Sequence, residues 1–181
     1  MTALPPTVRR GIHSFDAVVD DAFVSLRRHR LANKVLYAAS EAGNFSVIWH
    51  ALAWAPVLVR PSRRRVRRAI EVSAVLGVES LLVNGVVKSL FRRQRPDEPE
   101  EERPHRLRAP KTSSFPSGHA TAAMVAAAML SRHRPRRMVF YALGTLVAAS
   151  RVHVRIHHAS DVIGGLAIGL GLGRVARRLL P

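Results

Sequence analysis

Three short blocks of the chain concentrate the residue types that phosphoryl transfer requires. They read KSLFRRQRP at 88–96, PSGH at 116–119 and SRVHVRIHHASD at 150–161. A phosphate ester must be gripped by fixed positive charge, attacked in line, and given a proton on its leaving oxygen. The three blocks hold cations, histidines and a carboxylate that fit these tasks, each block next to an apolar stretch. The candidate residues are Lys88, Arg95, Ser117, Gly118, His119, Arg151, His157 and Asp161.

Local spacing already suggests how some of these groups are arranged. His157 and Asp161 are four residues apart, which places both side chains on one face of a helical turn. A carboxylate in that position accepts a hydrogen bond from the imidazole and fixes its tautomer. Ser117 follows a proline and suits a helix start, so we expect His119 in the first helical turn.

The other two histidines of the last block, His153 and His158, leave two alternatives open. His158 is adjacent to His157 and competes with it for the role of nucleophile. His153 lies four residues before His157, a spacing that chelates a metal, and Asp161 would supply a third ligand. The flanking cations would repel a metal dication, which disfavours this reading.

Written as KxxxxxxRP, PSGH and SRxxxxxHxxxD, the blocks resemble the motifs of the type 2 phosphatidic acid phosphatase superfamily, the lipid phosphate phosphatases. The resemblance covers residues 88–161 in order and spacing. It implies a reaction through a phosphohistidine intermediate with no metal and no other cofactor. It also implies a phosphate clamp formed by Lys88, Arg95 and Arg151, which we call the candidate clamp, with further donors from Ser117 and the Gly118 amide.

The same resemblance assigns roles to the remaining site residues. It makes His157, rather than His158, the nucleophile, oriented by Asp161. It makes His119 the general acid for the leaving oxygen and later the base for the attacking water. Three other basic residues have no motif support and are interpreted as structural: Arg92, Arg93 and Arg155.

Composition points to a membrane rather than to nucleic acid. The 181 residues are 48% hydrophobic and carry a net charge of +17, with no cysteine. The missing cysteine excludes disulfides and cysteine-based zinc sites. High positive charge is compatible with nucleic-acid binding, but the arginines cluster at the ends of apolar stretches, where membrane proteins meet anionic headgroups. We therefore expect membrane lipids, and no nucleic acid, as partners.

The apolar stretches predict an all-α fold, a polytopic transmembrane helix bundle of about five spans. Residues 1–14 are predicted to be a flexible tail and 15–34 an amphipathic surface helix. Residues 35–181 are the predicted membrane-embedded domain. Its helices are expected at 35–59, 69–91, 118–131, 138–150 and 162–173, the first interrupted by Glu41, Asn44 and His50, which should face protein.

Two further features bear on how the site is built. Gly165, Gly169 and Gly173 repeat every four residues, a pattern typical of closely packed helices. The polar segment 92–115, with the acidic run 97–102, is long for a connector inside one domain and is interpreted as either a substrate-gating loop or a solvated connector.

The leading hypothesis is an integral membrane enzyme acting on a lipid-linked phosphate. Candidate substrates are a polyprenyl pyrophosphate, a polyprenyl-linked sugar phosphate, phosphatidylglycerophosphate or phosphatidate, with a polyprenyl carrier favoured by the family resemblance. Two alternatives are a vanadate-dependent haloperoxidase-like enzyme and a non-catalytic basic protein that binds anionic lipid. Once Lys88, Arg95 and Arg151 are set aside, basic residues divide evenly between the two sides of the predicted bundle. An extracytoplasmic site on the bacterial cell membrane is therefore expected from the resemblance alone.

Overall fold

The computed structural model describes residues 5–96, 107, 112–131 and 134–180, with the side chains of 134–136 left out. Within these ranges the chain is built from helices joined by short segments, as the all-α prediction requires. The acidic run 97–102 lies outside the described residues. The helices are α1 (Pro6–Arg28), α2 (Arg30–Ala42), α3 (Val47–Val59), α4 (Arg63–Ser80), α5 (Gly118–Leu130), α6 (Arg134–His153) and α7 (Ala159–Leu179).

The N-terminal helix begins earlier than predicted. The expected flexible tail 1–14 is helical from Pro6 onwards, and proline is well tolerated in a first helical turn. The helix ends at Arg28, and α2 starts at Arg30, so the predicted surface helix 15–34 is divided between two elements. One residue that the amphipathic pattern assigned to the charged face, Asp16, is buried.

The long apolar stretch 35–59 is two helices rather than one. Between α2 and α3 the chain passes through a short 3-10 turn, Asn44–Ser46, and the two helix axes differ by 67°. Phe45 and Ser46 both have positive φ angles, 51° and 58°, which a continuous right-handed helix excludes. Hydropathy does not detect such a break, because the residues on both sides of it are apolar.

Polar residues of this stretch behave in two ways. Asn44 bonds to His119 and His50 bonds to Ser73, at 3.1 and 3.0 Å. Both therefore face protein, as expected. Glu41 is exposed, and for this residue the expectation stays a prediction.

Helix α4 carries the first motif block to its position. It continues beyond Ser80 through a π-helical segment, Leu81–Val86, and a 3-10 turn, Val87–Leu90. Changes of helical period rotate the side chains that follow them, and such segments are often found at functional sites. Lys88 lies in the last turn and is buried.

Helices α5 and α7 pack against each other at very short range. A Cβ atom at Gly165 would lie 2.5 Å from the Ser117 carbonyl oxygen, and one at Gly169 would lie 2.5 Å from that of Thr121. A Cβ at Gly173 would lie 2.7 Å from Ala128 Cβ. The contacts advance together along both helices, so α5 and α7 run in the same direction. The predicted small-residue face is confirmed.

Length and composition allow two helices to cross a membrane: the continuous α4 segment Arg63–Leu90 and α7. The bent pair formed by α2 and α3 is a third candidate, and α5 is shorter but apolar. Large apolar side chains on these helices are exposed, among them Leu81, Leu90 and Ile163. An exposed apolar surface of this kind suits lipid. Within the described residues, two or three segments are therefore long and apolar enough to cross a membrane, and the predicted count of about five is not confirmed.

Candidate active site

The motif residues meet at one end of the bundle. The α4 segment and α6 end there, whereas α5 and α7 begin there. A cavity of about 540 Å³ opens between these ends and the α2–α3 break. Residues from all three motif blocks line it, namely Lys88, Gly118, His119 and His157. Blocks separated by up to about 70 residues in the sequence are therefore brought to one site.

Lys88 presents its ammonium group at this cavity. Its residue is 5% exposed, and among the described residues its Nζ atom has no hydrogen-bond partner. A Cβ atom placed on Gly118 would be 3.7 Å from that Nζ. The charge is thus beside the first turn of α5, whose amides have no intrahelical acceptor. Ammonium and amide donors together favour an anion at this point.

The other two members of the candidate clamp are guanidinium groups. Arg151 is 2% exposed and donates from Nη1 to the Ser40 hydroxyl, while its Nε has no partner within the described part of the chain. Arg95 donates to the Ile156 carbonyl at 2.9 Å, and the same Nη1 lies 3.3 Å from His157 Nε2. The cations of the clamp are close enough to repel one another. A bound phosphate would relieve this repulsion.

His157 and Asp161 lie close together, but no hydrogen bond joins their side chains. His157 lies in the segment between α6 and α7, Asp161 lies in the first turn of α7, and His157 Nδ1 is 3.7 Å from Asp161 Oδ2. The His157 ring is almost completely buried, and this burial lowers the pKa of His157 well below its usual range, although Asp161 opposes the effect. A neutral imidazole with Nδ1–H directed at Asp161 keeps a lone pair on Nε2, the nitrogen near Arg95.

His119 lies in the first turn of α5, as predicted from the proline and serine before it. Its Nε2 is 3.1 Å from Asn44 Oδ1. A Cβ at Gly43 would lie 2.7 Å from the His119 ring, so only glycine fits there without displacing the imidazole. The α2–α3 break therefore brings both a hydrogen-bond partner and a closely packed backbone to His119.

Ser117 and the two competing histidines have other environments. The Ser117 side chain is fully buried and caps α5 through the Ala120 amide, while its own amide donates to the Asp161 carbonyl at 3.0 Å. His158 precedes α7 and interacts with the Gln94 backbone, away from the cavity lining. His153 bonds to Asn33 at 2.8 Å. Within the described residues, no group of three or more His, Cys, Asp or Glu side chains is arranged to hold a metal.

Sequence reasoning missed several polar residues near the site. Arg93, interpreted as structural, is buried and donates to Asp161 Oδ1 at 2.6 Å. Asp16, from α1, is buried against the same guanidinium. Ser40 binds Arg151, and Glu79 contributes a buried carboxylate to the cavity wall. For Asp16 and Glu79 the only local signal was a charged residue inside an amphipathic or apolar helix, and for Arg93 and Ser40 there was none.

The arrangement belongs to a helical, membrane-associated class of phosphate-handling enzymes, with a clamp of cations and two histidines at one end of a bundle. The profile of the PAP2 superfamily matches residues 68–181, and the chain belongs to that superfamily. This confirms the resemblance found in the three motif blocks.

Individual relatives and solved structures agree with this placement. A decaprenylphosphoryl-5-phosphoribose phosphatase from Mycolicibacterium smegmatis is 33% identical over 132 residues, which cover 71% of this chain and 68% of the relative. A phosphatidylglycerophosphatase B from Bacillus subtilis is 36% identical over 108 residues, covering 53% and 50% of the two chains. The crystal structure of a transmembrane PAP2-type phosphatidylglycerolphosphate phosphatase from Bacillus subtilis superposes with a TM-score of 0.68 at 26% identity, over 93% of this chain and 86% of that one.

Proposed function

We propose that this chain is an integral membrane lipid phosphatase that hydrolyses a phosphomonoester or pyrophosphate on a membrane lipid. The observation that carries the proposal is the convergence of Lys88, His119 and His157 on one cavity at the end of the bundle, with the Arg95 guanidinium beside His157. Arginine suits bidentate phosphate contacts and does not lose its charge. The relatives named above are lipid phosphatases, which supports the same class of substrate.

The geometry supports a two-step reaction. The Nε2 lone pair of His157 attacks phosphorus, forming an N–P bond as the bond to the leaving oxygen breaks. His119 donates its proton to that oxygen. Water then attacks the phosphohistidine after giving a proton to His119, the N–P bond breaks, and inorganic phosphate leaves. Asp161 stabilises the imidazole in its cationic, phosphorylated form. The reaction so described needs no metal ion.

The lipid we propose is a polyprenyl-linked sugar phosphate. Its support is the Mycolicibacterium smegmatis relative, a decaprenylphosphoryl-5-phosphoribose phosphatase for which the matched share of both chains exceeds two thirds. Phosphatidylglycerophosphate and polyprenyl pyrophosphate are the competing substrates, since other relatives carry those activities.

For the membrane arrangement we propose about five crossings, made by the α2–α3 pair and helices α4 to α7, with α1 on the surface. Two or three of these segments are long and apolar enough to cross by themselves. Arginines at the ends of shorter helices extend their reach towards the headgroups. The site then lies at one membrane face, which we propose to be the extracytoplasmic face of the bacterial cell membrane.

The test is phosphate release by the purified protein in detergent. The panel contains the three lipid phosphates named above and phosphatidate, each with and without EDTA and with vanadate. We expect release from at least one lipid, retained activity in EDTA, inhibition by vanadate, and no release by His157→Ala. Failure to hydrolyse any lipid would refute the class of substrate, and activity lost in EDTA and restored by a divalent cation would refute the mechanism.

A further inference from the structure

Helix α1 inserts one buried carboxylate into the base of the active site. Asp16 is 6% exposed although it lies on a helix that is otherwise largely exposed. Its Oδ1 accepts from the Ser160 amide at 2.8 Å, and its Oδ2 accepts from the Ser160 hydroxyl at 2.9 Å and from Arg93 Nη2. Asp16 precedes the segment that matches the family profile, which begins at residue 68.

Arg93 connects this carboxylate to the one beside the nucleophile. While Nη2 binds Asp16, Nη1 donates to Asp161 Oδ1 at 2.6 Å and to the Ser160 hydroxyl at 2.7 Å. The Arg93 side chain is 5% exposed. One planar guanidinium therefore bridges two carboxylates, a geometry that fixes both because the donor directions are rigid.

The second oxygen of Asp161 is also held. Asp161 Oδ2 accepts from the His158 amide at 2.9 Å and is the oxygen that faces His157 Nδ1. We propose that Asp16 is a positioning residue: through Arg93 it fixes the Asp161 carboxylate, and Asp161 in turn holds the His157 imidazole for attack. The inference deepens the proposed function, on which it rests, by adding a residue from outside the matched family segment to the same site.

The rest of α1 has its own attachments, so Asp16 can be altered without releasing the helix. Val19 and Phe23 pack against the buried apolar cluster of Ala148, Val152, Ala159 and Val162. Asp20 pairs with Arg27 and, at 3.4 Å, with Arg155. Arg27 also donates to the His153 carbonyl at 2.9 Å. These contacts surround the segment that carries His157 but do not include Asp16.

The first experiment compares Asp16→Asn and Asp16→Ala with Asp21→Asn, a matched control on the same helix whose side chain is exposed. We expect kcat on a lipid phosphate to fall about 10–100-fold in the Asp16 variants, as a misplacement of reacting groups by up to about 1 Å would cause. The KM should change less than about threefold, because the candidate clamp is untouched. The control should match the wild type.

The second experiment separates positioning from a general loss of structure. Asp16→Ala is combined with Asp161→Asn, and single-turnover rates are measured with an activated aryl phosphate. If Asp16 acts through Asp161, the added change lowers the rate of Asp161→Asn less than about threefold. Arg93→Lys, which keeps the charge but cannot bridge both carboxylates, should reproduce the kcat loss with little change in KM.

Three results would overturn the inference. The first is a kcat that stays within twofold of the wild type in both Asp16 variants. The second is an equal loss in Asp21→Asn, and the third is an undiminished effect of Asp16→Ala in the Asp161→Asn background. If the Asp16 variants fail to fold, Arg93→Lys and its combination with Asp161→Asn decide the question. A wild-type protein that hydrolyses no lipid phosphate would instead refute the proposed function.

Discussion

Gly165→Ala tests whether the close packing of α5 and α7 positions the catalytic groups. The new Cβ would lie 2.5 Å from the Ser117 carbonyl oxygen, and such contacts need at least 3.0 Å, with 3.4 Å or more being ordinary. The helices must therefore move apart by about 0.5–0.9 Å at this point. His119 follows Ser117 by two residues and Asp161 precedes Gly165 by four, so the shift separates the proton donor from the nucleophile pair. A displacement approaching 1 Å costs about 100-fold in rate, and we expect a kcat loss of roughly 10–100-fold.

Two glycines on the same helix provide matched controls. A Cβ at Gly171 meets nothing within 4 Å. Gly171→Ala should therefore keep full activity, and its free energy of unfolding should rise by up to about 1 kcal/mol because alanine has the higher helix propensity. A Cβ at Gly173 would lie 2.7 Å from Ala128 Cβ, two turns further from the site. Gly173→Ala should lower the thermal midpoint, since overpacking costs about 1–3 kcal/mol, but reduce kcat much less than Gly165→Ala.

The assay is steady-state phosphate release at a temperature well below the midpoint of each variant, normalised to folded protein. A Gly165→Ala enzyme with kcat within twofold of the wild type would show that the site tolerates the shift. An equal kcat loss in Gly173→Ala would show that rate follows overall stability and not the local geometry. Either result refutes the positioning argument.

Three other predictions concern the histidines. The first uses an aryl phosphate whose phenol needs little protonation on leaving. With this ester, His119→Ala should release about one equivalent of phenol in a burst and then turn over slowly, whereas His157→Ala should show no burst. The reverse pattern would mean that the roles of the two histidines are misassigned. The second concerns pH and stability. Burial lowers the pKa of His157 in the folded protein, so its imidazole takes up a proton on unfolding when the pH is below ~6.5, the usual pKa of an exposed histidine. Wild-type stability should therefore fall more steeply on acidification than that of His157→Gln, measured by thermal unfolding, and parallel curves would contradict this. The third changes Asn44→Leu, which removes the hydrogen-bond partner of His119. We expect kcat to fall about tenfold with an alkyl ester, whose leaving oxygen needs the proton, and to fall less with the aryl ester. Equal losses with the two esters would show that Asn44 does not assist proton transfer.

The parts of this site that the sequence predicts are those determined by local spacing. The proximity of His157 to Asp161 and the start of α5 at Gly118 depend on residues within four positions of one another, although His157 precedes α7 instead of sharing its first turn with Asp161. The glycine repeat of α7 is likewise local, and it predicts a close contact without naming the partner helix. These features are encoded by period and helix capping, so reading the sequence recovers them.

The missed features depend on long-range contacts. Arg93 and Asp16 are 77 residues apart in the chain, and Arg151 and Ser40 are 111 apart. A charged residue in an amphipathic helix is normally solvated, and nothing within α1 distinguishes Asp16 from the exposed Asp21. The α2–α3 break was missed for a different reason, because its position within an apolar stretch hides it from hydropathy.

The electrostatics of the site explain why a third arginine, Arg93, is needed in addition to the two of the candidate clamp. Asp161 must stay close to His157, and this brings a carboxylate near cations that are meant to bind phosphate. Carboxylate and phosphate use the same bidentate geometry on a guanidinium, so an unrestrained Asp161 would compete with the substrate. Arg93 and the His158 amide bind one Asp161 oxygen each, and Asp16 supplies the carboxylate on the opposite side of Arg93. In the proposed mechanism, the clamp therefore keeps its charge available for phosphate because a different arginine, anchored from α1, holds the Asp161 carboxylate.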